Sequence, residues 1–591
     1  MHAHDRFLPE WFNRIRSRQI TLPRFQRFIA WGHGEVSGLL TTVLRGLPSG
    51  AALILEVGDA EKFKSRTMKD APENGEKVTE QLLDGQQRLT ALWRSLHDYY
   101  SDRTYLIGFE DDPHNGGSKQ PYVYGQARWS NESTRYPVWV DTAASCWERG
   151  FIPLKLLRPD DIKDEIDQWI EKAIPADAAD KFAVYKSLNS LISGLRTTVR
   201  EFNLPYLSLP AKTEKDVALD VFVKMNTSSV RLDTYDIIVA LVEGETGKSL
   251  HDHVEILKQA VARVDAYADA PNLVLDMVAL RQNRVPSQAG YHGIDFTRMI
   301  EEWGGVVAGI KGMVGFLEEE AVFDAQRLPS YPAIPVIAAL WEYLPTHPDQ
   351  LGNARHLLRK YLWRAFLTGR YEQSSATSAL QDFRALRETL KGGQNVHVPI
   401  FNEDAYPLPT PEMILVADWP KRKSILSRGL LALQMKAGAE DLADGARASI
   451  ASITSREHPR EYHHLFPDAK LSDADVPAEE IYRAVNCALI TWRTNRTISA
   501  KDPIEYLKER ADNSTLGEEE LKRRLRTHLI PYDQLNVGAY AGLEEAQIKE
   551  RTRSDYLKFG KARAELFARA AELACCGQAL DLGRIYSETG V

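Results

Sequence analysis

Two adjacent histidines, His463 and His464, stand in the run Tyr462-His463-His464-Leu465-Phe466-Pro467. They are followed by Asn486 and by Asn495 within Trp492-Arg493-Thr494-Asn495-Arg496. These residue types suit phosphodiester hydrolysis, which needs a base to take a proton from water and a divalent metal to stabilise charge on the phosphate and the leaving oxygen. We read His464 as the base and His463 as a metal ligand. The amide oxygen of Asn495 suits a hard cation such as Mg²⁺ or Mn²⁺, and Asn486 is expected to brace the loop and orient the base. A second polar run, Asp84-Gly85-Gln86-Gln87-Arg88, lies near the other end of the chain. Gly85 permits a tight turn or close backbone approach, and the Arg88 fork and the amides of Gln86 and Gln87 present donors for phosphate oxygens and base edges. Asp84 can hold a metal or orient water.

These side chains need elements to aim them. A β-hairpin followed by a helix brings a strand histidine and helix-borne ligands to one small pocket. Asp502-Pro503-Ile504-Glu505 supplies an N-cap, a first-turn proline and an acid at the third helical position, which closes a ββα unit. After Gly85, the apolar spacing of Leu89, Leu92, Trp93 and Leu96 predicts a helix. Each motif has a plainer alternative: a pair of surface histidines in one case, an ordinary polar helix start in the other.

Read together, His463 to Leu507 is similar to the domain of unknown function 1524, the HNH-type domain of the GmrSD modification-dependent restriction enzymes. The wider HNH group often carries Asp where this chain has His463, and His shifts the preference toward softer transition metals. The opening Ile20-Thr21-Leu22-Pro23-Arg24-Phe25-Gln26-Arg27-Phe28-Ile29-Ala30-Trp31 resembles the start of the domain of unknown function 262, the ParB-like partner in the same enzymes. The segment Val221 to Asp233, with Asn226, resembles a third motif of that domain.

The resemblance implies an N-terminal sensor that hydrolyses a nucleoside triphosphate, with Arg24, Gln26, Arg27, Asp84, Gly85, Gln86, Gln87 and Arg88 forming its pocket. It implies a C-terminal HNH nuclease using His464, His463, Asn486 and Asn495, with metal held by His463 and Asn495. Arg24, Gln26 and Arg27 equally suit DNA backbone or a modified base, and Arg27 suits a buried ion pair with Asp84. The expected function is a modification-dependent endonuclease of bacterial antiphage defence, acting on modified phage DNA. The alternatives are a nucleotide-switched DNA-binding protein with an inactive HNH domain and an RNA-directed HNH nuclease. One HNH site per chain favours nicking unless two chains cooperate as a homo-oligomer.

Composition agrees with this division. A chain of 591 residues should hold several domains, and 43% hydrophobic with 26% charged residues is ordinary for a soluble protein. We expect a cytoplasmic protein with no membrane partner, because no apolar run spans a bilayer and the N-terminus lacks signal-peptide features. Cys146, Cys487, Cys575 and Cys576 show no C-x-x-C spacing. The net charge of -8 excludes a protein that coats polyanions generically, so DNA contact must be local. Basic residues gather at Arg14, Arg16, Arg18, Arg24 and Arg27, at Arg493, Arg496, Lys501 and Lys508, and in the run Lys522 to Arg526. Glu518, Glu519 and Glu520 precede that last run at helical spacing and suggest an ion-paired face.

The expected fold is α+β and multidomain: a ParB-like α/β domain over 1–245 with an insertion at about 101–200, a helical connector over 246–420, and an HNH ββα-metal domain embedded in helices over 421–591. Strands are expected at Tyr122-Val123-Tyr124 and over 136–140, and His114 beside two acids is read as an exposed turn. In the connector, Leu357, Leu358, Tyr361, Leu362 and Phe366 form one apolar stripe and Leu380, Phe383, Leu386 and Leu390 another. Gly392-Gly393 ends a helix as a candidate hinge.

Overall fold

The computed structural model describes residues 2–26, 31–112, 118–129, 138–175, 178, 180–215, 217–218, 221–222, 234–454, 459–515, 517–540 and 542–590. The expectations for Arg27, His114 and the Asn226 segment lie outside these residues. The chain is mixed α and β and divides into two compact units, Met1–Asp252 and His253–Val591.

The first unit is built on a six-stranded mixed sheet. In spatial order its strands are β1 (His2–His4), β9 (Tyr206–Leu209), β3 (Ala52–Glu56), β5 (Glu80–Asp84), β2 (Ile20–Pro23) and β4 (Ser65–Arg66). β5 is central, parallel to β2 and antiparallel to β3. Its residues Glu80 to Leu83 are all buried, as a strand covered on both faces requires. Three helices contribute their apolar residues to the core, and α3 is buried nearly all round. In α1 (Leu8–Arg16), Leu8, Trp11, Phe12 and Ile15 fall on one stripe. Helix α2 (His33–Leu44) buries Val36, Leu39, Leu40 and Val43. Helix α3 (Gln86–Leu96) buries Leu89, Leu92, Trp93 and Leu96, the spacing read from the sequence.

A smaller antiparallel sheet, β7 (Lys119–Ala127), β6 (Arg103–Asp111) and β8 (Ile152–Pro153), occupies the expected insertion. Val138–Asp141 form a 3₁₀ turn and not the expected strand. β6 is already paired on both edges, by β7 and β8. Helix α4 (Lys181–Arg200) packs in this unit, and α5 (Thr234–Thr246) supplies Asp236 and Glu243 to its two hollows.

The second unit is mainly helical. Helix α8 (Ala333–Leu340) is buried on every side and packs against α6 (Ala270–Arg281), α7 (Trp303–Glu319) and α10 (Ser375–Leu390), as an all-apolar helix must. In α9 (Pro348–Leu367) the stripe residues Leu358, Tyr361, Leu362 and Phe366 are fully buried. This helix packs on α11 (Ile425–Lys436) and on the long α15 (Glu545–Cys575). Gly392, at φ +90°, ends α10. The Gly392 N–H donates to Thr389 and the Gly393 N–H to Glu388, a Schellman closure that satisfies the last carbonyls.

Within this unit the strands β10 (Arg460–His464) and β11 (Cys487–Thr491) form an antiparallel pair, with His463 opposite Ala488 and His464 opposite Cys487. Helix α12 (Trp492–Ile498) follows β11 at once, capped by the Thr491 side chain. Helix α13 (Pro503–Asn513) starts with the expected capping box between Asp502 and Glu505. Arg563 of α15 is fully buried and donates to the carbonyls of Leu529, Val485 and His528 at 2.7–3.1 Å. It thereby ties the long helix to the loop that enters β11.

Candidate functional site

Alternation along β10 divides its side chains between two faces. Glu461 and His463 point toward α12, and Tyr462 and His464 point the other way. On the first face the Nδ1–H of His463 donates to Asn495 Oδ1 at 2.8 Å, and Asn495 Nδ2 donates to Glu461 Oε2 at 2.7 Å. The acceptor on Nδ1 fixes the tautomer and leaves His463 Nε2 as the lone-pair nitrogen. That atom is buried and has no partner among the described residues. Burial pushes the His463 imidazole down to about 4, against the opposing hydrogen bond to Asn495. The ring is therefore neutral at ordinary pH.

Asp441, which the sequence reading missed, holds the start of α12. It accepts from the Thr491 N–H at 2.7 Å and from Thr494 Oγ1 at 2.6 Å. Burial pushes its carboxyl up, but these hydrogen bonds outweigh burial and keep it below the usual carboxylate range. Asn486 is fully buried; its Oδ1 accepts the Phe466 N–H at 2.8 Å and its Nδ2 donates to the carbonyls of Phe466 and Ile481. It braces the turn after β10 and makes no hydrogen bond to either histidine ring among the described residues.

His464 stacks on Trp419 with ring centroids 4.2 Å apart and meets the edge of Tyr482 at 4.7 Å. Its Nε2 is buried without a partner among the described residues, and burial lowers its affinity for a proton. The structure thus joins His463 to Asn495 and adds Glu461, while His464 lies across the strand from them. Glu461 was legible only as the residue two before His463. Trp419 carried no signal in sequence.

Toward a divalent metal, His463 Nε2 is bare, whereas Asn495 Oδ1 already accepts from His463 Nδ1 and Glu461 Oε2 from the Asn495 amide. The expected pair of ligands, His463 and Asn495, does not converge on one ion in this arrangement. No group of three His, Cys, Asp or Glu side chains closes on one point among the described residues. Protein ligands would therefore be few, which suits a cation that keeps several waters and takes phosphate oxygens. Arg493 and Arg496, exposed on α12, both lie near the Trp492 ring. The run Lys522 to Arg524, on α14 (Gly517–Thr527), is occupied by ion pairs to Glu518, Glu520 and Glu440.

In the first unit, a cavity of about 560 Å³ is lined by Gln26, Trp31, Asp84, Gly85, Gln86 and Gln87, with Phe25 and Phe222 as further aromatic walls. Gly85 makes this site possible. At φ +97° it turns β5 directly into α3, a conformation glycine adopts without penalty. The first turn of α3 has no side-chain cap, so its positive end faces the cavity and suits an anion.

Gln26 is 5% exposed. Its Nε2 donates to the carbonyls of Leu82 and Leu83, each at 2.8 Å, and its buried Oε1 has no partner among the described residues. Arg88 is spent on the protein itself. Its guanidinium donates to Ser49 O and Ala51 O at 2.8 Å and to Asp84 Oδ2 at 3.1 Å. It clamps the loop before β3 and pairs with Asp84. Arg24 does not line this cavity; it pairs with Asp252 at 2.7 Å.

Residues 8–243 match the family described as "GmrSD restriction endonuclease, N-terminal domain". That match supports a GmrSD-type restriction endonuclease, hence action on DNA. It covers the cavity behind Gly85 and ends well before β10. The chain is also similar to an uncharacterized protein of Methanocaldococcus jannaschii, at 21% identity over 95% of this chain and 98% of that protein. No helix among the described residues is long and apolar enough to cross a membrane.

Proposed function

We propose that this chain is a modification-dependent DNA endonuclease of antiphage defence, in which a ParB-like nucleotide-hydrolysing sensor over 1–245 controls a metal-dependent HNH nuclease over 421–591. Helices over 246–420 connect them. The observation that carries the nuclease reading is the His463–Asn495–Glu461 cluster, set on a β-hairpin and the helix that follows it.

In this reading His463 Nε2 would hold Mg²⁺ or Mn²⁺. Asn495, whose Oδ1 accepts from the opposite ring nitrogen, orients the imidazole and would reach the same ion only if that hydrogen bond gave way, with Glu461 beside it. The bound metal supplies charge stabilisation for the phosphate and the leaving oxygen. His464, with a lowered proton affinity and a buried, unengaged Nε2, takes the proton from water, which requires water to reach that atom; the stack on Trp419 uses the ring face and leaves the in-plane lone pair free. Asn486 keeps the turn between the histidines and Pro467 in shape. Arg493 and Arg496 offer positive charge to the DNA strand.

In the sensor, the cavity volume lies within the range of small-molecule sites, roughly 300–1,000 Å³. The aromatic walls suit a nucleobase and the start of α3 suits the phosphates. Gln26 Oε1 accepts a hydrogen bond from the ligand.

One observation favours a second reading. His464 and His463 lie on opposite faces of β10, so base and ligand do not share a pocket in this arrangement. A nucleotide-switched DNA-binding protein with an inactive HNH domain fits that separation. Cleavage of modified phage DNA by wild type, His463→Ala and His464→Ala distinguishes the two: the endonuclease loses cutting in the variants, and the binding protein hydrolyses nucleotide and cuts nothing.

A further inference from the structure

Arg24, Lys62, Lys64 and Lys215 line a second hollow of the N-terminal unit, about 480 Å³ in volume. Phe25 and Phe63, edge to face at 5.0 Å, stand between the two. The four cations come from three segments: the turn after β2, the approach to β4, and the stretch between β9 and α5.

Acids in the hollow are engaged at least in part. Glu61 accepts from Ser65 and Gln81. Glu243 is 1% exposed; its Oε1 accepts the Lys64 N–H at 2.8 Å, and its Oε2 has no hydrogen-bond partner among the described residues. Burial pushes its carboxyl up against the opposing charges of Lys215, Lys64 and Arg24, which the carboxylate offsets only in part. Asp252 pairs with Arg24. None of the three lysines has a carboxylate partner among the described residues; Lys215 Nζ donates only to the Glu243 carbonyl, at 3.0 Å.

The cations are also held close together. The Arg24 N–H donates to Lys64 O at 2.8 Å, which pairs the two backbones just beyond β2 and β4, and both residues line the same hollow. Burial and the charge of Arg24 bring Arg66 down to about 10. Like charges so placed cost stability unless an anion lies opposite. β4 is an edge strand, and lysines protect edges from pairing. That accounts for Lys62 and Lys64 but not for Lys215 and Arg24, which reach the same hollow from elsewhere.

We propose that this hollow is the DNA-docking surface of the N-terminal unit, where Lys62, Lys64, Lys215 and Arg24 bind the phosphodiester backbone of duplex DNA outside the nucleotide cavity. The proposal rests on the DNA-endonuclease reading for its partner.

The test is fluorescence anisotropy of a short labelled duplex with the full chain, wild type against the Lys62→Ala, Lys64→Ala, Lys215→Ala triple variant, over a range of salt. Binding of a fluorescent nucleotide is measured beside it as a check on folding. Each lost phosphate contact flattens the log–log salt dependence by about 0.9, so the triple variant should lose about 2–3 from the slope and about 100-fold in affinity at low salt. Nucleotide affinity should stay at the wild-type value. Should the triple variant misfold, Lys64→Ala alone should flatten the slope by about 1 and Lys64→Arg should restore it. Unchanged duplex affinity and slope in a variant that still binds nucleotide overturns the docking surface alone. A wild type that binds duplex through the lysines but cuts nothing upholds it and removes the endonuclease reading. A wild type that ignores duplex, or prefers RNA of equal length, overturns it.

Discussion

His463 and Asn495, 32 positions apart in sequence, share a 2.8 Å hydrogen bond that puts the imidazole proton on Nδ1 and leaves Nε2 bare in a buried site. A neutral imidazole with one nitrogen oriented and the other open is what metal ligation requires, and the orienting partner commonly tunes affinity by about 10–100-fold. Glu461 extends the arrangement by accepting from the Asn495 amide at 2.7 Å.

Asn495→Ala should therefore weaken Mn²⁺ binding to the full chain by about 10–100-fold. Titration calorimetry of wild type and variant reads this directly, and Glu461→Gln should show a smaller loss. Equal Mn²⁺ affinity in all three proteins would remove the cluster as a metal site.

Asn486→Ala leaves the Phe466 N–H, the Phe466 carbonyl and the Ile481 carbonyl without their buried partner. Each unsatisfied group costs about 1–3 kcal/mol, so about 3 kcal/mol or more of local stability should go. The check is hydrogen exchange over Leu465 to Ile481, which should accelerate in the variant with exchange in the N-terminal unit unchanged. Unaltered protection there would show that the turn does not depend on Asn486.

His528 is fully buried. Its Nε2–H donates to the Glu440 carbonyl at 2.6 Å, and burial pushes it down to about 4. The unfolded chain takes up this proton first, near pH 6.5. The stability gained from keeping the ring neutral is thus fully present above that pH and is lost as pH falls toward about 4. At pH 5 the loss is about 2 kcal/mol. Comparing hydrogen exchange at the ends of α14 and α15 at pH 7 and pH 5, after correction for intrinsic rates, should show that loss in wild type. Protection that is the same at both pH values would contradict it.

Gly50→Ala tests the clamp beside the nucleotide cavity. An added Cβ would lie 2.5 Å from Arg88 Nη1, and the backbone sits at φ +87°. The variant should lose about 1–3 kcal/mol from strain at that position, displace Arg88 and bind nucleotide more weakly. Wild-type nucleotide affinity would show that the Arg88 clamp does not shape the cavity.

Local signals in the sequence survived best. The Asp502 capping box and the apolar stripes on α3 and α9 depend on neighbours within a turn or two, and each is found where its spacing put it. Long-range pairing was hidden. Whether Glu461 or Tyr462 shares a face with His463 depends on the alternation of β10, and nothing near His464 announces that Trp419 will stack on it. Arg24 and Gln26 are two residues apart yet serve different hollows, because the turn after Pro23 sends one outward and the other behind β5. Arg88 reads as a phosphate hand in sequence, and only the positions of the Ser49 and Ala51 carbonyls show that its donors are taken.

The proposed endonuclease hydrolyses DNA through the hairpin histidines. Its most direct test is cleavage of plasmid and modified phage DNA by wild type, His463→Ala and His464→Ala, with Mg²⁺ or Mn²⁺ and with or without each nucleoside triphosphate. Wild type should break strands in modified DNA and neither variant should, with nucleotide hydrolysis intact in all three. No strand breaks by wild type under any condition, or undiminished cutting by both variants, would contradict it.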